Sequence, residues 1–241
     1  MNYLDLFKFD SDMFYKEYDT VERERGNLIH NDCIQVMNKL EDSCVNLTLT
    51  DIPYDNVNRK SNGLRELDKG NADILTFDLE KFLDEVYRVT NGTIIIFCGM
   101  NQVSSIFNYF DILAKKGKGT VRQLVWKKTN PSPMNGEYIY LSGLENAIWF
   151  KKKGATFNAH CKSNVFEFPC GRSKLHPTEK NHKLISDLIL DNSNEGDILF
   201  DPCSGSGSHL YCARELNRRF IGSELDKNYF DIGVKRLKGV I

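Results

Sequence analysis

The apolar residues of this chain recur in two alternating patterns. Val45, Leu47 and Leu49 alternate with polar neighbours, which is the two-residue period of a β-strand. A second set has the three- and four-residue spacing of one helix face: Leu79, Phe82, Leu83, Val86 and Tyr87. The continuous apolar run at residues 93–98 then predicts a strand that is covered on both faces.

The same alternation returns near the end of the chain. We predict a helix at about residues 179–190, a strand at 198–200, a helix at about 209–216, a strand at 220–222 and a last helix from Asp226. Strands alternating with helices predict an α/β, Rossmann-like fold with a mostly parallel sheet and helices on both faces. We expect residues 1–241 to form a single domain, with a small inserted region within about residues 100–170.

Composition agrees with one globular domain. The 241 residues are 41% hydrophobic and 27% charged, which is enough apolar material for a core and excludes a disordered chain. No run approaches the 18 apolar residues of a membrane span, and the N-terminus mixes acidic and aromatic residues. We therefore expect a cytoplasmic protein without a membrane partner.

The cysteines give no sign of disulfides or of a metal. Seven of them are scattered along the chain without a C-x-x-C pair, which is typical of a reducing compartment. The spacing of His160, Cys161, Cys170 and His176 matches no zinc-binding pattern. We expect no metal site.

The net charge of −1 hides a segregation along the chain. Residues 1–110 carry 11 basic and 19 acidic residues, residues 111–183 carry 14 and 5, and residues 184–241 carry 7 and 9. A basic middle segment between acidic flanks is expected where one face meets a polyanion such as a nucleic acid. The candidate phosphate contacts are Arg122, Lys127, Lys128, Lys151, Lys152 and Lys153.

A glycine turn follows the predicted strand at residues 198–200. Asp201 ends that strand, and Gly205 and Gly207 then open a helix, so the backbone there can approach a ligand closely. Glu224 ends the next strand, where an acid can hold the hydroxyls of a ribose. This pattern predicts a nucleoside site.

Further details favour one nucleoside. Leu210 stands where a dinucleotide fingerprint has its third glycine, and there is no G-K-[ST] segment for a phosphate-binding loop. Asp201 would repel a phosphate, but it suits the positively charged amino-acid portion of S-adenosylmethionine. We therefore expect S-adenosylmethionine as the cofactor.

A second candidate site closes the strand that contains Val45. Asp51 and the carbonyl of Pro53 can accept the two N–H bonds of an amino group on an aromatic base, which would localise the nitrogen lone pair. Tyr54 offers a ring face on which a base taken out of a duplex can stack. By itself the tetrapeptide Asp-Ile-Pro-Tyr at residues 51–54 is also a common turn sequence. It therefore indicates a base-binding site only in combination with the other motifs.

These motifs together resemble the amino-group DNA methyltransferases of the circularly permuted beta class. The segments that carry the resemblance are D-I-P-Y at 51–54, H-P-T-E-K at 176–180, D-P-C-S-G-S-G at 201–207 and F-I-G-S-E-L-D at 220–226. The resemblance implies methyl transfer to adenine N6 in double-stranded DNA by direct displacement. It also implies a target recognition region within about residues 100–170. The small size of that region suggests either a short DNA site or a homodimer.

The resemblance also assigns roles to single residues. It implies that Asp51, Pro53 and Tyr54 hold the flipped base and that Glu224 binds the cofactor ribose. The other residues that it places around the cofactor are Asp32 at the adenine, His176, Thr178 and Lys180 near the methionine end, and Asp201, Gly205 and Gly207 at the turn.

Four other interpretations remain open from the sequence. The target can be cytosine N4, although aspartate at the first position of the tetrapeptide favours adenine because cytosine enzymes of the family more often have serine there. The chain can be a nucleic-acid-binding subunit that has lost turnover, or it can methylate RNA or a protein glutamine amide. A covalent mechanism through Cys203 is disfavoured, because this thiol lies within the glycine turn.

Overall fold

The structure consists of alternating strands and helices. It is a computed structural model that describes residues 20–21, 26–54, 75–133, 136–171 and 179–241. The strands within these ranges are β1 (Thr20–Val21), β2 (Gly26–His30), β3 (Val45–Asp51), β4 (Thr90–Cys98), β5 (Gly119–Lys128), β6 (Leu144–Lys152), β7 (Val165–Phe168), β8 (Ile198–Asp201) and β9 (Arg219–Glu224). The helices are α1 (Cys33–Lys39), α2 (Leu79–Val89), α3 (Met100–Lys115), α4 (His182–Asn192), α5 (Ser208–Glu215) and α6 (Lys227–Leu237). None of these helices has the length and hydropathy that a membrane span requires.

The nine described strands form one sheet in the order β1-β2-β9-β8-β3-β4-β6-β5-β7. The five strands from β2 to β4 in this order run parallel, whereas β6 runs antiparallel to both β4 and β5. The carboxyl ends of the five parallel strands therefore lie along one edge of the sheet, where ligands commonly bind in folds of this type. We call this the carboxyl edge and define it by the last residues of those strands: His30, Glu224, Asp201, Asp51 and Cys98.

Side-chain caps and close backbone contacts set the element boundaries. Helix α2 begins at Leu79 because the Asp78 carboxylate accepts a hydrogen bond from the Lys81 N–H at 2.9 Å. The predicted apolar face of this helix is confirmed, since Phe82 and Val86 are buried. Strand β4 starts three residues earlier than predicted, and a Cβ at Gly92 would lie only 1.9 Å from a carbonyl oxygen of β3.

Three helices depart from the sequence prediction, and one of them is α1, where no helix was expected. Helix α4 begins at His182 rather than at about residue 179, because the Asn181 side chain caps it by accepting from the Lys183 N–H at 2.9 Å. Helix α3 was not predicted, although Ile106 and Phe110 are buried on one of its faces. Much of residues 100–170 therefore belongs to α3 and to the hairpin of β5 and β6, which extends the sheet.

Two apolar clusters cover the two faces of the sheet. In β4, Ile94 and Ile96 belong to one cluster and Ile95 and Phe97 to the other, as expected for a strand covered on both faces. Helices α1, α2 and α3 contribute to the first cluster, and α4, α5 and α6 contribute to the second. The core thus fixes the central strands and, with them, the carboxyl edge.

We expect the central strand β8 to control the stability of the whole domain. Phe200 is fully buried beside β3, so Phe200→Ala should lower the free energy of unfolding by about 3–5 kcal/mol through lost burial and a cavity. Phe157→Ala is the matched control, because the Phe157 ring is 48% exposed. Urea denaturation measures both variants, and equal losses would contradict this assignment of the core.

Candidate active site

One cavity of about 560 Å³ opens at the carboxyl edge. Residues 51–54 line one end of it together with Glu145 and Lys180. Asp32, Gly205 and Glu224 line it as well, so the two sites that the sequence predicts separately share one space. A volume of this size accommodates a nucleoside-sized ligand beside a second group.

The glycine turn at one end of the cavity has a left-handed backbone. Gly205 and Gly207 have φ values of 51° and 73°, a region that side chains disfavour. A Cβ at Gly207 would also lie 3.2 Å from the Cα of Gly233 in α6. Glycine at 207 therefore serves helix packing, and Gly207 is not among the residues that line the cavity, whereas Gly205 is.

Glu224 supports this turn with its carboxylate. Its two oxygens accept hydrogen bonds from the N–H groups of Gly205 and Asp226, both at 2.7 Å. Burial is the largest influence on this group and raises the pKa of Glu224 to about 7. Further hydrogen-bond donors would stabilise the buried carboxylate, and the hydroxyls of a ribose are such donors.

Asp201 lies behind the cavity rather than on its wall. Its side chain is 1% exposed, and its Oδ2 lies 2.9 Å from Nδ1 of His209, which does line the cavity. Its Oδ1 accepts a hydrogen bond from the Cys203 N–H at 3.2 Å. A direct contact between Asp201 and the cofactor therefore stays a prediction, since the contacts that this carboxylate makes in the structure are with the turn and with His209.

Asp32 stands on the cavity wall near Glu224. It caps helix α1, and its Oδ1 accepts from the N–H groups of Ile34 and Gln35 at 3.0 and 3.1 Å. Because β2 pairs with β9, the neighbouring Asn31 N–H also donates to the Glu224 carbonyl at 3.1 Å. The pairing of two strands thus brings both predicted cofactor residues to one end of the cavity.

A chain of four charged side chains occupies the other end. Lys180 is in ion-pair contact with Asp51 Oδ2, and its Nζ lies 3.1 Å from Glu145 Oε2. Glu145 Oε1 is in turn 2.7 Å from Nζ of Lys128. Burial alone would lower the pKa of Lys180, but the carboxylates of Asp51 and Glu145 hold it well above the usual value, so the lysine is charged.

The tetrapeptide presents its hydrogen-bond acceptors in a fixed arrangement. Gln102, buried at the start of α3, donates to the Pro53 carbonyl at 2.9 Å and accepts from the Gly99 N–H at 2.8 Å. The Tyr54 hydroxyl donates to Glu145 at 3.4 Å. The second oxygen of Asp51, Oδ1, is buried and has no hydrogen-bond partner among the described residues. Buried acceptors are normally paired, so we expect this oxygen to have a donor that is not among the described residues.

The segment at 176–180 is only partly described. His176 and Thr178, predicted near the methionine end of the cofactor, lie outside the described residues. Lys180 lines the cavity, but its contacts are with Asp51 and Glu145 rather than with the glycine turn. Glu179 is anchored by Arg236 of α6, with two nitrogen–oxygen distances of 3.1 and 2.8 Å, which ties the end of this segment to the last helix.

The basic residues predicted to meet phosphates lie in different places. Lys151, Lys152 and Lys153 follow β6 away from the cavity: Lys151 pairs with Thr93, four residues or roughly 13 Å along β4 from the partner of Asp51. Lys152 donates to the Tyr87 carbonyl at 2.7 Å, and burial lowers its pKa to about 8.

The remaining basic candidates are on strand β5. Arg122 lies within the hairpin and donates to the Val121 carbonyl at 2.8 Å. Lys128 is bound to Glu145 with only 15% of its side chain exposed. Lys127 stands at the carboxyl edge and is about half exposed, with a surface ion pair to Glu167. Of the six candidates, Lys127 is thus the one that is both exposed and near the cavity.

Glu145 and Gln102 are site residues that the sequence did not reveal. Glu145 follows Leu144 at the start of a strand, and only the pairing of β6 with β4 brings it beside Tyr54. Gln102 lies in the first turn of α3, which the sequence did not predict. The local signal in both cases is a polar residue at the end of an apolar segment, and this signal does not show what the residue contacts.

The thiols of the site do not resemble nucleophiles. Contact with the Cys33 thiol and burial raise the pKa of Cys203 well above its usual value, which opposes formation of a thiolate. All seven cysteines are free. In the part of the chain that is described, no group of three or more histidine, cysteine or acidic residues is arranged to hold a metal ion.

This fold and this cavity are typical of a methyltransferase-like protein, and the sequence predicts a nucleoside end and an amino-group end for the cavity. A family model described as DNA methylase matches residues 45–235, and the chain belongs to this family. Type II methyltransferase M2.LlaDCHI of Lactococcus lactis subsp. cremoris is 25% identical over 96% of this chain and 95% of its own length. Type II methyltransferase M.HpaI of Haemophilus parainfluenzae is 30% identical over 87% of this chain and 73% of its own length.

A solved structure supports the same classification. The crystal structure of the M1.HpyAVI–SAM complex is 28% identical, with a TM-score of 0.65 over 87% of this chain and 98% of that one. The expected Rossmann-like methyltransferase fold is confirmed by this likeness and by the mostly parallel sheet.

The raised pKa of Glu224 predicts a pH-dependent stability. The carboxyl binds a proton more tightly in the folded than in the unfolded chain, so its contribution is present at low pH and is lost as pH rises through about 7. We expect Glu224→Gln to become more stable relative to wild type between about pH 5 and about pH 8. Denaturant unfolding across this range measures the difference. Glu215→Gln, at an exposed glutamate, is the control, and a pH-independent difference for Glu224→Gln would refute the assignment.

Proposed function

We propose that this DNA methyltransferase transfers a methyl group from S-adenosylmethionine to N6 of an adenine that is flipped out of double-stranded DNA. The observation that carries the proposal is the shared cavity: Glu224 and Asp51 line the same space of about 560 Å³. A donor bound at one end and an amino group bound at the other can therefore meet without movement of the sheet.

The residues present fit S-adenosylmethionine. The buried carboxylate of Glu224 would accept hydrogen bonds from the ribose hydroxyls, and the left-handed turn at Gly205 leaves room for close approach of the ligand. Asp32 and its neighbours would bound the adenine. When bound, the cofactor supplies a methyl group on a positively charged sulfur, and the carbon–sulfur bond breaks with its electron pair left on sulfur.

The other end of the cavity prepares the attacking nitrogen. Asp51 Oδ1 and the Pro53 carbonyl would accept the two amino hydrogens of the base, and this keeps the lone pair of the nitrogen out of the ring. The new nitrogen–carbon bond forms with that lone pair, and the nitrogen then releases one proton to water. Tyr54 would stack on the base, at about 1–3 kcal/mol for such a contact. Positioning and electrostatics thus supply the catalysis, without a covalent enzyme intermediate.

Adenine is favoured over cytosine by the first residue of the tetrapeptide. In the family that the chain resembles, N4-cytosine enzymes more often carry serine where this chain has Asp51. The runner-up function is N4-cytosine methylation, because both bases present the same kind of amino group. A binding subunit without turnover is disfavoured, since Asp51, Tyr54 and Glu224 are all retained around one cavity.

Duplex DNA would approach the carboxyl edge. Lys127 is an exposed basic residue at that edge and would contact a phosphate, which positions the protein without reading the sequence. Lys151, Lys152 and Lys153 lie too far along β6 to meet the same stretch of backbone beside the cavity. A homodimer would enlarge this footprint.

Analysis of nucleosides tests the proposed reaction directly. Purified protein, duplex DNA and S-adenosylmethionine are incubated, the DNA is digested, and the nucleosides are separated and weighed by mass spectrometry. We expect N6-methyladenine. N4-methylcytosine without N6-methyladenine would overturn the choice of base, and methyl transfer to RNA or peptide instead of DNA would overturn the choice of substrate.

Asp51→Asn separates catalysis from cofactor binding. The amide keeps the size of the side chain but removes the charge that holds the amino group, so we expect the methylation rate to fall by at least about 100-fold. Cofactor affinity, measured by calorimetry, should change by less than about threefold, because Asp51 contacts Lys180 rather than the glycine turn. Full activity in this variant would show that the carboxylate has a different role.

A further inference from the structure

Lys180 is an unusual lysine, because it is buried among carboxylates and aromatic rings. Only 3% of the residue is exposed. Its ammonium contacts Asp51, lies 3.1 Å from Glu145 Oε2, and stands 5.3 and 5.4 Å from the ring centres of Tyr54 and Phe97. Burial of an ammonium is unfavourable unless it is paired, so these partners hold it in one place.

The two oxygens of Asp51 are therefore not equivalent. Oδ2 is in contact with Lys180, whereas Oδ1 is buried and finds no donor in the described part of the chain. A carboxylate that is held through one oxygen has a fixed orientation, and the other oxygen of Asp51 keeps an unused capacity to accept a hydrogen bond. The bound lysine thus converts a freely rotating side chain into an aimed acceptor.

We propose that Lys180 is a positioning residue for methyl transfer: it clamps Asp51 Oδ2 so that Oδ1 accepts the amino hydrogen of the base. Glu145, which is itself paired with Lys128, holds Lys180 in turn. This inference rests on the proposed function. It differs from the role near the cofactor that the family resemblance implies for Lys180. The geometry favours the clamp, because the described contacts of the ammonium are all at the amino-group end of the cavity.

The charges of the cluster support this role. Asp51 and Glu145 are balanced by Lys180 and Lys128, so the cluster is neutral as a whole. Among the described residues, the titratable groups around Asp51 are Lys180, Tyr54 and Glu145, together with Cys98 at the end of β4. Of these, Lys180 is the cation, so it both balances the charge of the Asp51 carboxylate and holds one of its oxygens.

The test compares Lys180→Met with the wild-type protein. At saturating S-adenosylmethionine, we expect the single-turnover methylation rate at neutral pH to fall by about 100-fold, because the acceptor is no longer aimed. Cofactor affinity should stay within about threefold of wild type.

Lys162→Met is the matched control. Lys162 also bridges two carboxylates, Asp187 at 3.2 Å and Asp191 at 2.8 Å, but this group lies outside the cavity. We expect the Lys162→Met variant to have the same methylation rate and cofactor affinity as wild type. Wild-type protein that fails to methylate DNA would refute the proposed function, whereas active wild type with an unchanged Lys180→Met variant would refute only the clamp.

Two further outcomes would also overturn the inference. A rate that Lys180→Met recovers fully at high cofactor concentration, with affinity weakened by more than about tenfold, would make Lys180 a cofactor ligand. If Lys180→Met does not fold, Glu145→Gln removes one anchor of the lysine and should still reduce the rate by about tenfold at unchanged cofactor affinity. An unchanged rate in Glu145→Gln would then contradict the clamp.

Discussion

The parallel pairing of β3 with β8 is the constraint on which the site depends. These strands are far apart in the chain, yet Leu47 pairs with Leu199 and Thr48 with Phe200 at the centre of the sheet. Because the two strands run in the same direction, the tetrapeptide that follows one and the glycine turn that follows the other emerge side by side. A change of register by one residue would exchange the side chains that the shifted strand presents to the two apolar clusters, so the core fixes the geometry of the cavity.

The charged cluster at the cavity is explained better by the proposed function than by stability. Apolar residues of similar volume often stabilise a protein more than a buried ion pair does, so the cluster of Asp51, Lys180, Glu145 and Lys128 is poorly explained as a source of stability. Alternating charges in a neutral row limit the free-energy cost of burying each charged group. The proposed activation of an amino group requires an acceptor that is held in one orientation, and the cluster holds Asp51 in this way.

Local patterns in the sequence predicted four of the five parallel strands and residues at both ends of the cavity. The periodicity around Leu79, the glycine turn and the acid at Glu224 each act through neighbouring residues, so a linear pattern was sufficient. The roles of Glu145, Gln102 and Lys180 could not be predicted in this way, because each depends on the pairing of β6, the start of α3 or the path of the segment before α4. For Asp201, the motif predicted a position at the glycine turn, but no pattern in the sequence predicted its burial against His209.

The distribution of basic residues shows why charge counted along a segment does not locate a binding face. Strands β5 and β6 run in opposite directions, so the lysines at the end of β5 reach the carboxyl edge while those at the end of β6 reach the opposite edge. The two lysines at the end of β5 also differ in their ion pairs. Lys128 is bound to Glu145 within the site, whereas Lys127 remains exposed. A surplus of positive charge in residues 111–183 is thus shared between the site, the carboxyl edge and the opposite edge of the sheet. It follows that electrostatic attraction at the cavity depends on a few residues at the carboxyl edge rather than on the net charge of the segment.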